Sequence, residues 1–310
     1  MRPIVAIVGP TASGKSVLGI ELAVRLNAEI VSLDSVQVYR GLYVATAKVP
    51  LQQRCGIPHH LIDIIDPDQE YTAGDYARDA RRVISQIEQS GKQVLLVGGT
   101  GFYLSALEGS LFEQPVKTDQ QLRRRLKQIM ERRGAAHLHK MLARLDPAAA
   151  ARINVNDWAR TTRALEVLFQ TGRSITYWQG NHHPQAAELA SRIEVFALSP
   201  PRSELYARIN RRVDEMFAAG LVEEVQQLLA AGLSPNAKSL MAHGYRRVVE
   251  YLLGQRDYAS CVEQTKADTR HYAKRQLSWW RSRARVNWIY AFGDDVRAVE
   301  EVLKLLLLTK

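Results

Sequence analysis

The chain has 310 residues, of which 46% are hydrophobic and 24% charged, and its formal net charge is +10. This length suits about two domains, and the ordinary globular composition excludes a disordered chain, a collagen-like fibre and a disulfide-stapled miniprotein. The two cysteines, Cys55 and Cys261, lack CxxC spacing, so no structural zinc site is predicted and a reducing, cytoplasmic compartment is expected. No run of 18 apolar residues is present, so no membrane span is predicted.

The first third of the chain alternates predicted strands and helices. Residues 4–8 form a β-branched run that ends at Gly9, which is typical of a buried parallel strand. Strands joined by helices form parallel sheets with right-handed crossovers. The apolar spacing predicts a helix over 15–26, strands over 29–33 and 60–65, a helix over 73–89 and a strand over 93–97.

From residue 118 to 172 the apolar pattern is helical only, with breaks at Gly134, Pro147 and residues 154–157. We therefore predict an α/β core of residues 1–115 and 190–310, interrupted by an all-helical insertion domain of residues 116–189. Within these limits, the pattern predicts a loop over 180–186, strands over 193–198 and 285–290, and helices over 203–218, 221–230, 245–253, 258–283 and 296–308.

Residues 9–16 (GPTASGKS) match the phosphate-binding pattern GxxxxGK[ST] without a mismatch. They follow a predicted strand and open a predicted helix, which is the context that this motif requires. In such a loop, backbone N–H groups and the helix dipole surround phosphate oxygens, the lysine adds a charge and the serine hydroxyl binds Mg²⁺. The motif predicts a P-loop NTPase-like core around a central parallel sheet. The predicted phosphate ligands are Gly9, Pro10, Thr11, Ala12, Ser13, Gly14, Lys15 and Ser16, with Ser16 also holding Mg²⁺.

An aspartate is missing where a nucleotide-hydrolysing P-loop protein usually carries one for Mg²⁺. The strand at 93–97 ends in Gly98-Gly99-Thr100-Gly101 instead. A carboxylate appears after the second predicted strand, at Asp34, where side chains point into the ligand crevice of an open α/β sheet. Asp34 is therefore a candidate general base. The alternative is that it only caps a turn or a helix.

The positive charge is concentrated in two windows. Residues 117–144 hold nine basic and two acidic residues, and residues 266–285 hold seven basic and one acidic residue, which leaves −3 for the rest of the chain. Clustered basic residues favour a polyanion, because they neutralise phosphates and release counterions. A charge run can also merely solvate a helix face, and both interpretations stay open here.

Further blocks of sequence occur in order along the chain. They are residues 34–40 (DSVQVYR), 46–48 (TAK), 59–63 (HHLID), 97–104 (VGGTGFYL), 157–167 (DWARTTRALEV), 220–225 (GLVEEV), 244–246 (GYR) and 274–281 (KRQLSWWR). Together they resemble the bacterial tRNA dimethylallyltransferases, also called tRNA isopentenyltransferases. A P-loop alone is common to many enzymes, whereas this ordered set is specific to that family.

The resemblance implies an enzyme that transfers the dimethylallyl group of dimethylallyl diphosphate to N6 of adenosine 37 of tRNA and releases diphosphate. The adenine would be flipped out of the anticodon loop to expose its reacting atom. Asp34 is implied as the base that orients or deprotonates N6. Lys15, Thr100 and Arg212 are implied as ligands of the departing diphosphate, whose growing charge these donors and Mg²⁺ would stabilise.

The resemblance also implies the anticodon stem-loop of tRNA as a partner. Separately, we expect a cytoplasmic monomer that binds no membrane. Arg123 and residues 274–281 fall inside the two basic windows, and basic residues beside tryptophan suit phosphate contact and base stacking. We expect at least one of the two tryptophans in helix core instead. The implied RNA contacts are Asp34, Ser35, Val36, Gln37, Thr100, Arg123, Ala159, Arg160, Thr161, Thr162, Arg163, Met241, Ala242, His243, Gly244, Tyr245, Arg246, Lys274, Arg275, Gln276, Leu277, Ser278, Trp279, Trp280 and Arg281.

Two other functions remain as alternatives. In a P-loop kinase of a small molecule or nucleoside, Asp34 would deprotonate an acceptor hydroxyl and the helical insertion would act as a lid. Such a kinase does not require the second basic window with its paired tryptophans. A nucleotide-switched RNA-binding module without chemistry would need a base-recognition motif of the NKxD type, which the sequence lacks.

Overall fold

The computed structural model describes residues 2–109, 119–180 and 187–308. The chain divides into two compact units, one of Met1–Leu107 with Glu188–Lys310 and one of Glu108–Ala187. The domain boundary predicted at residues 115–116 lies outside the described residues, as does the predicted loop apart from Gly180. In the part of the chain that the structure describes, no helix has the length and apolar character needed to cross a membrane.

A parallel sheet is the centre of the first unit. Its described strands lie in the order β3-β2-β4-β1-β5-β6, and every neighbouring pair is parallel. In register, Val5 lies between Leu95 and Glu194. The carboxyl ends of all strands therefore meet at one edge, where an open α/β sheet binds its ligands. The strands are β1 (Ile4–Val8), β2 (Ala28–Leu33), β3 (His59–His60), β4 (Gln93–Gly98), β5 (Ile193–Leu198) and β6 (Asn287–Ile289).

Helices complete both units. They are α1 (Lys15–Leu26), α2 (Ala73–Gln89), α3 (Gly101–Leu107), α4 (Gln120–Arg133), α5 (Ala135–Leu145), α6 (Pro147–Arg152), α7 (Trp158–Thr171), α8 (Ile175–Gly180), α9 (Ala187–Ser191), α10 (Arg202–Ala218), α11 (Leu221–Ala230), α12 (Tyr245–Leu252), α13 (Tyr258–Arg281) and α14 (Val296–Leu308). Short 3₁₀ turns cover Leu51–Gln53 and Lys238–Met241.

The sheet has an apolar layer on each face. In β1, Ile4 and Ala6 belong to the cluster formed with α2 and α3, and Val5 and Ile7 to the cluster formed with α1 and α14. Successive side chains of a strand point to opposite faces, so a continuous apolar run is what a strand covered on both sides needs. The predicted P-loop NTPase-like α/β class is confirmed.

The second unit is helical where it is described. Its core is formed by Leu126, Leu138, Leu142 and Leu165 from α4, α5 and α7. The predicted breaks fall between helices: α4 ends at Gly134 with a φ of 82°, α6 begins at Pro147, and Asp157 caps α7. Proline at a first helical position and glycine after a last one are the usual signals of helix ends.

One predicted strand is largely wrong. The expected strand at 60–65 is reduced to His59–His60, with a single further bridge between Tyr39 and Ile65. The reason is local, because Leu61 and Asp63 have φ values of 60° and 56°. These left-handed conformations are rare for leucine, and they bend the chain out of the sheet.

Candidate active site

The P-loop closes on itself at the carboxyl edge of the sheet. Gly9 and Gly14 have φ values of 139° and 87°, which glycine adopts at little cost. The Ser13 hydroxyl and the Lys15 ammonium both donate to the carbonyl oxygen of Pro10, at 2.8 and 2.6 Å. These contacts hold a compact cradle in front of the N-terminus of α1, where an anion is favoured.

Three charged side chains line the cavity beside this loop. Burial lowers the pKa of Lys15 to about 8, an effect that Asp34 partly offsets and Arg212 strengthens. Burial also lowers the pKa of Arg212, again against the attraction of Asp34. Arg212 donates to the Thr11 hydroxyl at 3.4 Å. Two cations against one carboxylate make this cavity a site for a ligand of negative charge.

Asp34 follows β2 directly and has two roles open to it. Its Oδ1 accepts from the backbone nitrogens of Val36 and Gln37 at 2.8 and 3.4 Å, so the interpretation as a turn aspartate is correct for this oxygen. Its Oδ2 accepts no hydrogen bond from the described residues. The side chain lines both cavities of this region, which leaves Oδ2 for a ligand.

The glycines after β4 allow two other elements to come close. A Cβ would lie 2.2 Å from the Leu33 carbonyl oxygen if placed on Gly98, 2.0 Å from Nε2 of Gln276 on Gly99, and 2.1 Å from Nε1 of Trp279 on Gly101. At Gly98 the obstacle is backbone, so this residue must be glycine for β2 to pack against β4. At Gly99 and Gly101 the side chains of Gln276 and Trp279 would have to move, so glycine there allows α13 its observed position.

Thr100 lies between these glycines and supports the Asp34 turn. Its backbone nitrogen donates to the carbonyl oxygen of Leu33 at 3.0 Å. Its hydroxyl accepts from the backbone nitrogen of Ser35 at 3.2 Å. Thr100 itself lines neither of the two cavities, but its side chain is hydrogen-bonded to Tyr272, which lines both.

Gln276 joins α13 to the P-loop. Its Oε1 accepts from the backbone nitrogen of Thr11 at 2.8 Å, and its Nε2 donates to the carbonyl oxygen of Gly99 at 3.2 Å. The side chain is buried, so its amide is satisfied on both sides by backbone. The predicted RNA contact of this side chain is corrected to a structural tie between two loops of the site.

Two cavities meet at Asp34. The first, of about 190 Å³, holds Lys15 and Ser16 and also has the apolar residues Ile30, Val49, Ile62 and Val97 in its wall. The second, of about 220 Å³, is lined by Ala242, His243 and Tyr245, which were predicted to contact RNA, and by Met216. Thr11, Ala12, Asp34, Thr46, Arg212 and Tyr272 line both.

The predicted RNA contacts separate by exposure. Trp280 is in the core and Trp279 is 38% exposed, so the expectation that one tryptophan is core is confirmed. The buried members are Thr161, Thr162, Tyr245, Gln276 and Trp280. The prediction of RNA contact is corrected for the side chains of Thr161, Thr162, Gln276 and Trp280, whereas Tyr245 lines the second cavity, where only a base that enters the cavity meets it. The exposed members are Ala159, Arg160, Met241, Arg246, Lys274, Arg275, Ser278, Trp279 and Arg281. Of the first basic window, Lys117 lies outside the described residues.

A buried carboxylate organises two of the predicted arginines in the second unit. Glu166 accepts from Nε and NH2 of Arg123 at 2.6 and 2.8 Å and from NH1 of Arg163 at 3.3 Å. Glu166 has no exposed surface. The sequence contained a signal for it, because a glutamate on the apolar face of a predicted helix must have a partner.

The cavity wall suits magnesium better than a metal held by protein alone. Among residues 2–109, 119–180 and 187–308, no group of three or more His, Cys, Asp or Glu is placed to hold a metal ion. In the first cavity, Ser16 offers a hydroxyl oxygen beside the P-loop. Mg²⁺ is often bound by one or two protein oxygens, with water and substrate phosphates completing its shell, so this donor set fits it.

Sequence comparisons cover nearly the whole chain. The family profile described as IPP transferase matches residues 37–283, and the profile described as Isopentenyl transferase matches residues 2–55. A curated relative named tRNA dimethylallyltransferase, from Solibacter usitatus (strain Ellin6076), is 43% identical over 98% of this chain and 99% of its own length. Its namesake from Geobacter sulfurreducens is 45% identical over 92% of this chain and 91% of its own length.

Solved structures give the same result. A tRNA isopentenylpyrophosphate transferase from Bacillus halodurans aligns with a TM-score of 0.71 and 36% identity, covering 100% of this chain and 96% of the other. A eukaryotic dimethylallyltransferase, described as acting on tRNA, aligns with a TM-score of 0.79 and 26% identity, covering 100% of this chain and 80% of the other.

Proposed function

The chain belongs to the tRNA dimethylallyltransferase family, and we propose that it joins the dimethylallyl group of dimethylallyl diphosphate to N6 of adenosine 37, next to the tRNA anticodon. Proteins of this family are tRNA-modifying prenyltransferases, and this favours prenyl transfer over the alternative of a small-molecule or nucleoside kinase. The observation that carries the proposal is Asp34 at the meeting point of two cavities. Donor and acceptor entering from separate cavities would meet at this carboxylate.

The first cavity suits the donor. The P-loop N–H groups, Lys15 and Arg212 would bind the diphosphate, and a bound anion would restore the proton that burial makes Lys15 prone to lose. The apolar wall of Ile30, Val49 and Ile62 suits the five-carbon chain, which gains by leaving water. The same fixed donors stabilise the diphosphate as its negative charge grows on departure.

The second cavity suits the acceptor. A flipped adenine would reach Asp34 through walls that include Tyr272 and His243. N6 forms a bond to C1 of the dimethylallyl group while the bond from C1 to the diphosphate oxygen breaks. The proton released from N6 goes to Oδ2 of Asp34, and diphosphate leaves with the bonding electrons.

We propose Mg²⁺ as the cofactor, with Ser16 as its protein ligand. When bound, the ion neutralises part of the charge on the diphosphate. Thr100 would act indirectly, because its hydroxyl holds the backbone of the turn that begins at Asp34. This role differs from the direct diphosphate contact that the family resemblance implies.

The anticodon stem-loop is the proposed RNA ligand, and each unit taken by itself carries exposed residues that suit RNA. Lys274, Arg275, Trp279 and Arg281 on α13 offer phosphate contacts and one exposed aromatic ring. In the second unit, Arg160 is exposed at the start of α7. We propose that the enzyme acts on tRNA as a monomer in the cytoplasm. One chain supplies the described lining of both cavities, so the proposed chemistry requires no residue from a second copy.

The direct test is mass analysis of tRNA nucleosides after incubation with purified protein, Mg²⁺ and dimethylallyl diphosphate. The expected product is an adenosine carrying one dimethylallyl group at N6, mapped to position 37 by nuclease fragments. Asp34→Asn is the matched control, because it keeps the turn acceptor and removes the base. Unmodified adenosine, or product formation that consumes ATP, would overturn the proposal.

A further inference from the structure

The loop after β6 packs directly on the P-loop, although it lies beyond both family profiles, which end at residues 55 and 283. The backbone nitrogen of Gly293 donates to the carbonyl oxygen of Ser13 at 2.8 Å. A Cβ on Gly14 would lie 2.8 Å from that nitrogen, and a Cβ on Gly293 would lie 2.4 Å from the carbonyl oxygen of Gly14. The two backbones are therefore in contact at positions where neither tolerates a side chain.

This contact fixes the direction of one P-loop amide. In a trans peptide the C=O of Ser13 and the N–H of Gly14 point in opposite directions. Because Gly293 binds the carbonyl oxygen, the N–H of Gly14 must point away from the β6 loop. Gly14 lines the first cavity, and a P-loop binds phosphate through such N–H groups. A rotated peptide would present a carbonyl oxygen in place of a donor.

The loop is anchored to the helix that carries the diphosphate-binding arginine. Phe292 is buried in a cluster with Leu205 and Ile209 of α10. The guanidinium of Arg208 lies 3.7 Å from the centre of the Phe292 ring, and its NH1 donates to both carboxylate oxygens of Asp294 at 2.8 Å. Arg212 follows one helical turn after Arg208 on α10.

We propose that residues 292–294 are positioning residues for the donor diphosphate. They hold the Ser13–Gly14 peptide against α10, so that the P-loop amides and Arg212 face the same anion. The identity of the ligand as dimethylallyl diphosphate rests on the proposed function. The anion-orienting role itself rests on the contacts between Gly293, Ser13 and Gly14.

Gly293→Ala tests this role. Its Cβ must displace the Gly14 carbonyl, so the affinity for inorganic diphosphate should fall about tenfold or more, since even 1 Å of misplacement is costly. Isothermal titration with inorganic diphosphate and Mg²⁺ measures this, and the KM for dimethylallyl diphosphate should rise in parallel. The affinity for the anticodon stem-loop should stay within about twofold of the parent, because the loop after β6 touches the phosphate site and distant sites usually act independently. Gly74→Ala is the matched control, since the nearest atom to its Cβ is 3.6 Å away.

If Gly293→Ala fails to fold, Asp294→Ala provides a second test of the positioning role. Removing a negative charge near the P-loop would by itself strengthen anion binding. The positioning role requires the loss of the Arg208 anchor to outweigh that gain, so that the net affinity for diphosphate falls by about threefold for so exposed a pair. Diphosphate affinity within twofold of the parent in a folded Gly293→Ala variant, or unchanged or tighter binding by Asp294→Ala, overturns the inference. Because the titration needs no tRNA, weakened diphosphate binding without any prenylation would support the inference while refuting the proposed function.

Discussion

Diphosphate binding should weaken as the pH rises above the pKa of Lys15. Burial lowers that pKa to about 8, so Lys15 loses its proton where an ordinary lysine is still charged. The anion binds the protonated side chain and therefore raises its pKa in the complex. Above pH 8 binding must then take up a proton, and each further rise in pH costs affinity.

The pKa sets the size of the effect. Roughly nine-tenths of Lys15 side chains are protonated at pH 7 and about one-tenth at pH 9, for a pKa near 8. The dissociation constant for diphosphate should therefore rise about tenfold between pH 7 and pH 9. The inhibition constant of inorganic diphosphate, measured against dimethylallyl diphosphate at saturating tRNA, gives this quantity directly.

Lys15→Arg is the control for this measurement. A guanidinium stays charged throughout the range, so the variant should bind more weakly at every pH but change by no more than about twofold between pH 7 and pH 9. Comparison with Lys15→Arg also removes the part of the pH dependence that comes from the ionisation of diphosphate itself. A parent constant that does not change with pH, or an equal tenfold rise in Lys15→Arg, would refute Lys15 as the titrating ligand.

Three further perturbations test other parts of the site. Asp34→Asn keeps the Oδ1 acceptor of the turn but removes the base, so kcat in rapid-quench assays should fall about 10²–10⁴-fold with tRNA affinity within a few-fold; normal turnover would leave Asp34 a turn residue only. Glu166→Gln removes a buried carboxylate from two arginines. Because the side chains of Arg123 and Arg163 are 37% and 21% exposed and stay partly solvated, the free energy of unfolding in urea should fall by about 1–2 kcal/mol; an unchanged midpoint would contradict the ion-pair geometry. Replacing Lys274 and Arg275 by alanine should flatten the log–log salt dependence of stem-loop binding by about one unit per lost phosphate contact, whereas parental binding at every salt concentration would mean a solvated helix face.

Local signals account for most of the fold. The predicted helices 15–26, 73–89, 221–230 and 296–308 are confirmed to the residue. Helix ends are specified by neighbouring residues, as in the capping box formed by Thr72 and Asp75 at the start of α2. The strand expected at 60–65 failed because nothing in the sequence marks Leu61 as a residue of left-handed conformation.

The candidate site likewise contains residues that the local sequence predicts and residues that only the fold brings together. The P-loop could be predicted because its residues are contiguous in the sequence. Gln276 could not be placed, because its partners Thr11 and Gly99 are 265 and 177 residues away. Arg123 belongs to a basic run, yet it is paired with Glu166, 43 residues further on. Composition gives the charge of a segment, whereas the fold decides which charges have partners.

The glycines after β4 connect the missing aspartate to the role of α13. An acidic side chain at Gly98 would collide with the Leu33 carbonyl, and one at Gly99 would displace the amide of Gln276, so the observed packing leaves no room for the carboxylate that a nucleotide hydrolase carries there. The side chain of Gln276 lies at this strand end and accepts a hydrogen bond from the backbone nitrogen of Thr11 in the P-loop. The carboxylate of the site comes instead from Asp34 on the neighbouring strand, where it also borders the second cavity. In a hydrolase the strand-end aspartate serves the metal, whereas a prenyl transfer needs its carboxylate beside the acceptor amine. With glycines at this strand end, α13, with its exposed Lys274 and Arg275, packs against the P-loop through Gln276, and the proposed base is Asp34 on the neighbouring strand.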